Sequence, residues 1–325
     1  MPIRPALTCM RRAAVCAVLA LSMPVAMAWT SKPVRVLIPA PAGGTMDVLA
    51  RVLSEALTAE LGQPVVVDNK PGAGGSIAIN TMLAAPADGQ TILVSTTNVL
   101  TEIPHVVKVS FDPMKDVKPV AAVARSTLVL VGSTSLPAKD LPSLVSYVKA
   151  HSGQLSFASY SAGTVAHYAG LIMNQKAGMD LQHVPFAGSP PALTQVMGGQ
   201  IAVMYDGMVT SLPMIKAGKL QAYALAAKQR SPLLPQVPTF AELGYPDIDF
   251  NNWAGVFVSS KVPADVVQKI QAAVYKAAST PKVQERILGL GFETVPAQTP
   301  AQLGQALRAE YDRNAAIVKA YSIEP

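Results

Sequence analysis

The sequence predicts an α/β fold made of two lobes that are joined by two crossing strands. The prediction depends on three observations: half of the 325 residues are hydrophobic while 14% are charged, short β-branched runs alternate with helical segments, and this alternation occurs twice. Such a composition is typical of a globular protein, and the length suits one large or two medium domains. We expect lobe 1 to comprise residues 29–127 and 251–325, and lobe 2 to comprise residues 128–250.

The predicted elements follow the chain in a regular order. The first part of lobe 1 predicts strands at 34–38, 65–67 and 91–95, with helices at 47–61 and from residue 76. Strands joined by helical crossovers form a parallel sheet. Extended runs at 120–131 and 249–258 are predicted to carry the chain between the lobes. The remaining chain predicts strands at 155–158, 183–186, 201–205 and 222–226, and helices at 141–151, 165–177, 192–198, 264–278, 281–289 and 300–321.

The first 28 residues predict a cleavable signal peptide. Arg4, Arg11 and Arg12 precede an apolar run at 13–23, and small residues follow at 26 and 28, as at a signal peptidase site. The alternative is a buried or membrane-spanning helix, but an uncharged run of about 15 residues is short for a bilayer. We therefore expect cleavage after Ala28 and a protein that is exported from the cytoplasm.

Two other interpretations of this segment fit its residues less well. The Arg11-Arg12 pair is compatible with twin-arginine export, although residues 13–15 continue that pattern poorly. Lipidation of Cys16 would anchor the protein, but the usual leucine is missing before it. Both cysteines, Cys9 and Cys16, precede the expected cleavage site. The exported chain is therefore expected to contain no disulfide, no thiolate nucleophile and no cysteine metal ligand.

The charge distribution argues against nucleic acid as a partner. Of the net charge of +6, three units come from the arginines of the expected signal peptide. The other lysines and arginines are scattered singly and form no basic tract.

Two motifs suggest cofactor chemistry at first sight, and neither is complete. Gly72-Ala73-Gly74-Gly75 follows a strand, but Ile77 stands where a dinucleotide-binding loop has its last glycine. These glycines instead predict positive φ angles and close backbone approach in a strand-to-helix turn. The four histidines lack the spacing of a zinc site. The sequence therefore predicts no cofactor and no metal.

Ser161 is the nearest approach to a catalytic nucleophile. It lies where a strand leads into a helix, and His167 follows six residues later. Ser159, however, occupies the position of the first glycine of a nucleophile elbow. An exported serine hydrolase that uses Ser161 is one interpretation. The other is a small-residue turn in which Ser161 or Thr164 caps the following helix.

Loops of small residues at strand ends predict an anion site. They occupy residues 40–47, 95–98, 159–164 and 186–191, and each leads towards a predicted helix. The first N–H groups of a helix lack backbone partners and carry partial positive charge, so they can hold a carboxylate without arginine. In open α/β sheets such loops face the ligand cleft. Asp47 either favours the helix dipole or meets an ammonium or hydroxyl group of a ligand.

Several ordered motifs resemble one known family. Residues 38–51, IPAPAGGTMDVLAR, are similar to the opening motif of the substrate-binding proteins of tripartite tricarboxylate transporters, also called Bug receptors. Further similar segments follow in the family's order, and together they span most of the chain after residue 28: 68–75, 86–89, 184–188, 198–200, 234–239 and 253–255.

The resemblance implies a two-lobed periplasmic binding protein of type II, or Venus-flytrap, architecture. Such a protein closes around a small organic carboxylate and delivers it to membrane transporter subunits, with no catalysis. We expect a monomer that binds a dicarboxylate or an aromatic acid. The residues that the resemblance and the loop pattern together assign to the ligand are Ala42, Gly43, Gly44, Thr45, Met46, Asp47, Thr97, Ser161, Ala162, Gly163, Thr164, His167, Ala187, Gly188, Ser189 and Asp206.

Three positions depart from the family pattern. Ala42 stands where proline is common, Met46 where a polar residue is usual, and Ala202 where an acid is frequent. These changes make the expected pocket less polar and weaken the case for an amino-acid ligand.

Overall fold

A computed structural model describes residues 29–250 and 252–323. The predicted signal peptide lies outside the described residues. The strands are β1 (Val34–Ile38), β2 (Val65–Asn69), β3 (Thr91–Thr96), β4 (Val117–Ser126), β5 (Leu128–Ser133), β6 (Ser156–Ser159), β7 (Gln182–Pro185), β8 (Val203–Gly207), β9 (Leu220–Ala226), β10 (Trp253–Ser259) and β11 (Phe292–Thr294).

The helices agree closely with the apolar periodicity of the sequence, although α7 and the short elements α3 and β11 had no predicted counterpart. No described helix combines the length and apolar character needed to cross a bilayer. The helices are α1 (Thr45–Leu61), α2 (Ser76–Ala84), α3 (Asn98–Thr101), α4 (Leu141–Ala150), α5 (Val165–Ala177), α6 (Ser189–Met197), α7 (Met208–Lys216), α8 (Ala264–Ala278), α9 (Pro281–Gly289) and α10 (Pro300–Ala320).

The strands form two mixed sheets, one in each lobe. Their orders are β11-β4-β10-β3-β1-β2 and β7-β6-β8-β5-β9. The sequence predicted parallel strands, and this is confirmed for β1 to β3 and for β6 to β8. No direction was predicted for the two crossing runs: β10 runs antiparallel to β3 and β4, and β5 runs antiparallel to β8 and β9. These strands follow the passages between lobes, so no crossover helix within the sheet fixes their direction.

The chain crosses between the sheets at two places. Only Thr127 separates β4 from β5, and its hydroxyl donates to Glu293 Oε1 over 2.9 Å. The second passage reaches β10 through Asn252, whose carbonyl accepts from Ser126 N–H. The passages therefore lie side by side, which confirms the predicted two-lobed architecture with two crossing strands. The residue limits assigned to each lobe stay a prediction.

Each sheet carries its own apolar core. In lobe 1, α1 buries Leu49, Leu53 and Leu57 against the sheet and packs on α8. In lobe 2, the largest buried side chains include Phe157 and Tyr205. Burial of such side chains supplies most of the folding free energy of each lobe.

Helix α10 contacts both lobes. Its first half buries Leu303 and Leu307 with lobe 1 side chains, whereas Ile317 near its end packs against the core of lobe 2. Tyr321, just beyond the helix, also donates from its hydroxyl to Asp247 Oδ2 over 3.4 Å. The C-terminal segment is therefore a third connection between the lobes.

Candidate functional site

A cavity of about 340 Å³ lies between the two sheets. This is the size of a pocket for a small organic molecule. Both lobes and both passages contribute to its wall, which is lined by Pro39, Ala40, Pro41, Gly44, Thr45, Met46, Pro71, Gly72, Ala73, Gly74, Gly75, Ser95, Thr96, Asn98, Val99, Ile103, Ser126, Leu128, Tyr160, Ser161, Ala162, Val165, Pro185, Phe186, Ala187, Gly188, Ser189, Gly207, Phe250 and Asn252.

None of these described lining residues is an Asp, Glu, Lys, Arg or His. The polar groups available are hydroxyls, amides and backbone atoms, set among prolines and apolar side chains. Any charge on a molecule in this cavity must therefore be met by dipoles rather than by an ion pair.

The structure brings half of the residues assigned from the sequence to the cavity wall. These are Gly44, Thr45, Met46, Ser161, Ala162, Ala187, Gly188 and Ser189. The others lie outside the wall. They are Ala42, Gly43, Asp47, Thr97, Gly163, Thr164, His167 and Asp206.

The N-terminus of α1 opens onto the cavity. Gly44 precedes the helix in an extended conformation, with φ −72° and ψ 163°. The backbone N–H groups of Thr45 and Met46 meet no acceptor within the described ranges, as expected for the first turn of a helix. This end of lobe 1 therefore offers donors to a bound anion.

Asp47 lies behind that turn and holds the loop in place. Its Oδ2 accepts from Gly43 N–H and Arg51 Nε, each over 2.9 Å, and its Oδ1 accepts from Asn69 Nδ2 over 3.0 Å. Burial alone would raise the pKa of Asp47, but these hydrogen bonds outweigh burial and lower it. Both carboxylate oxygens are thus used within lobe 1, which fits the structural role of Asp47.

The N-terminus of α5 is organised differently. Thr164 precedes the helix, yet its hydroxyl donates to Ser161 O over 2.8 Å and caps nothing. The predicted cap by Ser161 or Thr164 is therefore wrong. Val165 N–H instead donates to Oε2 of Glu102 over 2.6 Å. Glu102 follows α3 in lobe 1, so the cap of this lobe 2 helix comes from the other lobe.

The loop before α5 rests on two stacked histidines. The rings of His167 and His183 lie 3.8 Å apart with an interplanar angle of 12°. His167 Nδ1 accepts from Gly163 N–H over 3.2 Å, and His183 Nε2 is hydrogen-bonded to Ser159 Oγ over 2.8 Å. Burial lowers the pKa of His167 to about 4. Burial and the neighbouring imidazole lower that of His183 to about 3, so both rings are neutral at pH 7.

Ser161 has no catalytic partner among the described residues. Its hydroxyl donates to Ala162 O over 3.2 Å. The imidazole of His167, the base that the hydrolase interpretation requires, is hydrogen-bonded to Gly163 instead. Nucleophilic catalysis requires a base within hydrogen-bond reach of the hydroxyl.

Asp206 supports the lobe 2 wall from behind. The carboxylate is fully buried and accepts hydroxyl hydrogen bonds from Ser189 and Thr210 over 2.5 Å and from Ser211 over 2.7 Å. Burial raises its pKa despite these bonds. Thr210 Oγ1 in turn lies 3.4 Å from Thr45 Oγ1 in lobe 1, so this cluster reaches across the cleft.

The N-terminus of α6 also faces the cavity but offers few donors. Its first residues are Ser189, Pro190 and Pro191, and proline has no N–H. The preceding Gly188 contacts lobe 1 closely, since a Cβ there would lie 2.6 Å from Pro41 Cγ. This loop therefore contributes mainly shape and the Ser189 hydroxyl.

Sequence reasoning missed several parts of the wall, among them the turn at residues 72–75 and the second passage. Gly72 to Gly75 were assigned only a structural turn, and their φ angles are positive as predicted, with Ala73 also at 46°. The turn packs tightly, since a Cβ on Gly75 would lie 2.8 Å from Val99 Cγ1. Phe250 and Asn252, from the second passage, carry no motif that would have identified them.

Metal ligands do not cluster in residues 29–250 and 252–323: no three His, Cys, Asp or Glu side chains come together there.

Comparison with known proteins agrees with the two-lobed fold. Residues 49–323 match the model of the tripartite tricarboxylate transporter family receptor. The periplasmic binding protein BugD is 30% identical, with a TM-score of 0.85, and the match covers 91% of this chain and 99% of BugD.

Two similar structures of Rhodopseudomonas palustris proteins contain ligands. MatC with bound malate is 32% identical with a TM-score of 0.83, covering 89% of this chain and 99% of MatC. A second protein, with adipate, is 28% identical with a TM-score of 0.86, covering 91% of this chain and 99% of that one. A family match over most of the chain and the similarity of the whole two-lobed fold to BugD lead to one conclusion: this protein belongs to the tripartite tricarboxylate transporter receptor family, the Bug receptors.

Proposed function

We propose that this protein captures a small organic carboxylate in the cavity between its lobes and presents it to membrane transporter subunits of the tripartite tricarboxylate type. The observation that carries the proposal is the N-terminus of α1: Thr45 and Met46 line the cavity, and their N–H groups meet no acceptor in the described ranges. No described residue of the cavity lining carries a charged side chain. A carboxylate there gains charge-assisted hydrogen bonds shielded from water.

The chemistry of the wall supports a dicarboxylate or an aromatic acid as ligand. Met46 and Phe186 offer apolar contact to the body of such a molecule, and Ser161, Ser189 and Asn252 offer hydrogen bonds to its other end. The similar proteins solved with malate and adipate hold molecules of this kind. A cavity of about 340 Å³ accommodates a small acid of this class.

The proposal includes export and the absence of catalysis. A protein that begins at Trp29 in the periplasm would meet transporter subunits as a soluble monomer. N-terminal sequencing of the exported protein tests whether it begins at Trp29, and its native mass tests whether it is a monomer. Ester turnover that disappears in Ser161→Ala would contradict a purely binding role.

A thermal-shift screen tests the carboxylate directly. Malate, adipate, phthalate and nicotinate are each compared with the corresponding neutral amide. A specific ligand at 100 times its dissociation constant stabilises a protein by about 2.7 kcal/mol, so the acid should raise the melting temperature by several degrees. Its amide should not. Equal shifts with acids and amides, or no shift with any acid in a wider carboxylate library, would contradict the proposal.

A further inference from the structure

Glu102 carries a buried side chain at the contact between the two lobes. Its side chain is completely buried, yet it forms no ion pair among the described residues. It lies directly behind three residues of the cavity wall, Ile103, Val165 and Asn252.

The hydrogen bonds of Glu102 join three separate parts of the fold. In lobe 2, Val165 N–H donates to Oε2 over 2.6 Å, and Tyr168 Oη donates to the Glu102 carbonyl over 2.9 Å. In the second passage, Asn252 Nδ2 donates to Oε1. Lobe 1 supplies the residue itself, at the end of α3.

The turn before α5 also packs closely against lobe 1. A Cβ on Gly163 would lie 3.2 Å from Val106 Cβ, so the turn before α5 packs on the segment that follows Glu102. Neither Ser161 nor Thr164 replaces Glu102 as a cap of α5. If the lobes separated, both the carboxylate and the Val165 N–H would have to exchange this bond for water.

We propose that Glu102 is a positioning residue that latches the first turn of α5 to lobe 1, so that the lobe 2 wall of the ligand site is completed only when the lobes are closed. The inference rests on the proposed function because it concerns closure of the same cleft. Its test, however, needs no ligand.

The contact between Glu102 and α5 also makes closure of the lobes depend on pH. Burial raises the pKa of Glu102 to about 8, against the hydrogen bonds from Asn252 and Val165. Facing groups are Glu310 and Arg313 of α10 and Tyr160 and Tyr168 of lobe 2. In an open cleft water would bring the Glu102 pKa back towards its usual value. The closed form then binds the proton more tightly, so raising the pH through about 8 should favour opening.

The test measures the distance between the lobes in the ligand-free exported protein. The exposed residues Ala59 in lobe 1 and Ala150 in lobe 2 are replaced by cysteine and spin-labelled. We expect Glu102→Ala to lose the short-distance population of the wild type. We also expect the Val165 amide to exchange hydrogen about tenfold faster, the factor for one hydrogen bond.

A second variant keeps the inference testable if Glu102→Ala does not fold. Glu102→Gln retains an oxygen that accepts from Val165 N–H, so it should keep the wild-type distance at pH 5.5. Between pH 5.5 and pH 9 the wild type should shift to longer distances, and Glu102→Gln should shift much less, since only Glu310 of this buried pair still titrates there.

The matched control is Asp140, whose Oδ1 accepts from Ser143 N–H over 2.9 Å and caps α4 within lobe 2. Asp140→Ala removes a helix cap without touching lobe 1, so it should leave the interlobe distance unchanged at both pH values. The latch is overturned if Glu102→Ala keeps the wild-type distances and exchange, if Glu102→Gln keeps the full pH response, or if Asp140→Ala opens the cleft equally. A failure to bind carboxylates would leave all these readouts measurable, and would count against the proposed function alone.

Discussion

The N-termini of α1 and α5 look alike in sequence but differ in the folded protein. Each follows a loop of small residues at the end of a strand. At α1 the N–H groups of Thr45 and Met46, two residues of the cavity wall, meet no acceptor among the described residues, whereas at α5 the Val165 N–H donates to the Glu102 side chain. A helix N-terminus is therefore an anion site only where the rest of the protein leaves its donors unused.

A pair of proline substitutions provides the strongest test of this difference. Thr45→Pro removes one N–H at the first position of α1, a position at which helices accept proline. Gly44, the residue before it, has the extended conformation that a following proline requires. We expect the affinity for malate or adipate to fall roughly hundredfold, about 3 kcal/mol for a charged hydrogen bond. The melting temperature should stay close to that of the wild type. Isothermal titration measures the affinity.

Two controls accompany Thr45→Pro. Thr45→Ala keeps the N–H and should bind within a few-fold of the wild type, because only the distant contact to Thr210 is lost. Val165→Pro removes the N–H that meets Glu102 and should weaken binding by about tenfold, through the latch. A larger loss for Val165→Pro than for Thr45→Pro would reverse the comparison.

The histidine pair beneath the α5 loop predicts a loss of stability in acid. The folded pKa values of His167 and His183, about 4 and about 3, lie below the usual value near 6.5. The unfolded chain then binds more protons between these values, so the histidine contribution is complete above about pH 6.5 and falls as the pH decreases towards 4. Lobe 1 has no such pair beneath the α1 loop in the described ranges.

Denaturant unfolding at pH 7 and pH 4.5 tests this prediction. The free energy of unfolding should fall by about 2 kcal/mol more in the wild type than in His167→Gln. The difference between the two proteins is the quantity to compare, because the raised pKa values of Glu102 and Glu310 act in the opposite sense. His151→Gln, at the end of α4, should follow the wild type. Parallel pH profiles for His167→Gln and the wild type would refute a role for the pair.

Asp47 gives the smallest expected effect. Asp47→Asn weakens the bonds that hold the α1 loop, so we expect the free energy of unfolding at pH 7 to fall by about 1 kcal/mol. The affinity for adipate should change less than threefold, since both carboxylate oxygens bind within lobe 1. Thermal unfolding and titration measure the two effects.

Asp265 is the matched control, because it is an exposed acid in the first turn of α8. Asp265→Asn should cost only a few tenths of a kcal/mol. Lost affinity with unchanged stability in Asp47→Asn would show that this carboxylate meets the ligand.

The elements were predictable wherever the pattern of apolar residues is local. The strand at 34–38 and the helices at 165–177, 264–278 and 281–289 have the predicted limits in the structure. Helix α7 was missed because Pro213 interrupts its pattern. Strand β11 was missed because only Phe292 of its three residues is buried.

The site was also predictable only where a local sequence pattern marks it. Motifs at strand ends identified the loops around Thr45, Ser161 and Gly188, because the ends of parallel strands meet at one edge of a sheet. They did not identify Asn252 or Ile103, which reach the cavity from passages and turns without a motif. The ligand roles that the family resemblance implies for Asp206 and His167 stay predictions, and neither residue is part of the cavity lining.

The sequence by itself determined the α/β class, the two-lobed plan and the family, because apolar periodicity and glycine positions act through neighbouring residues along the chain. The tertiary structure alone decided that α1 keeps its N-terminal donors available while α5 gives its first donor to Glu102. That choice depends on contacts between residues 63 positions apart, and on the burial that makes an unpaired donor or a bare carboxylate costly.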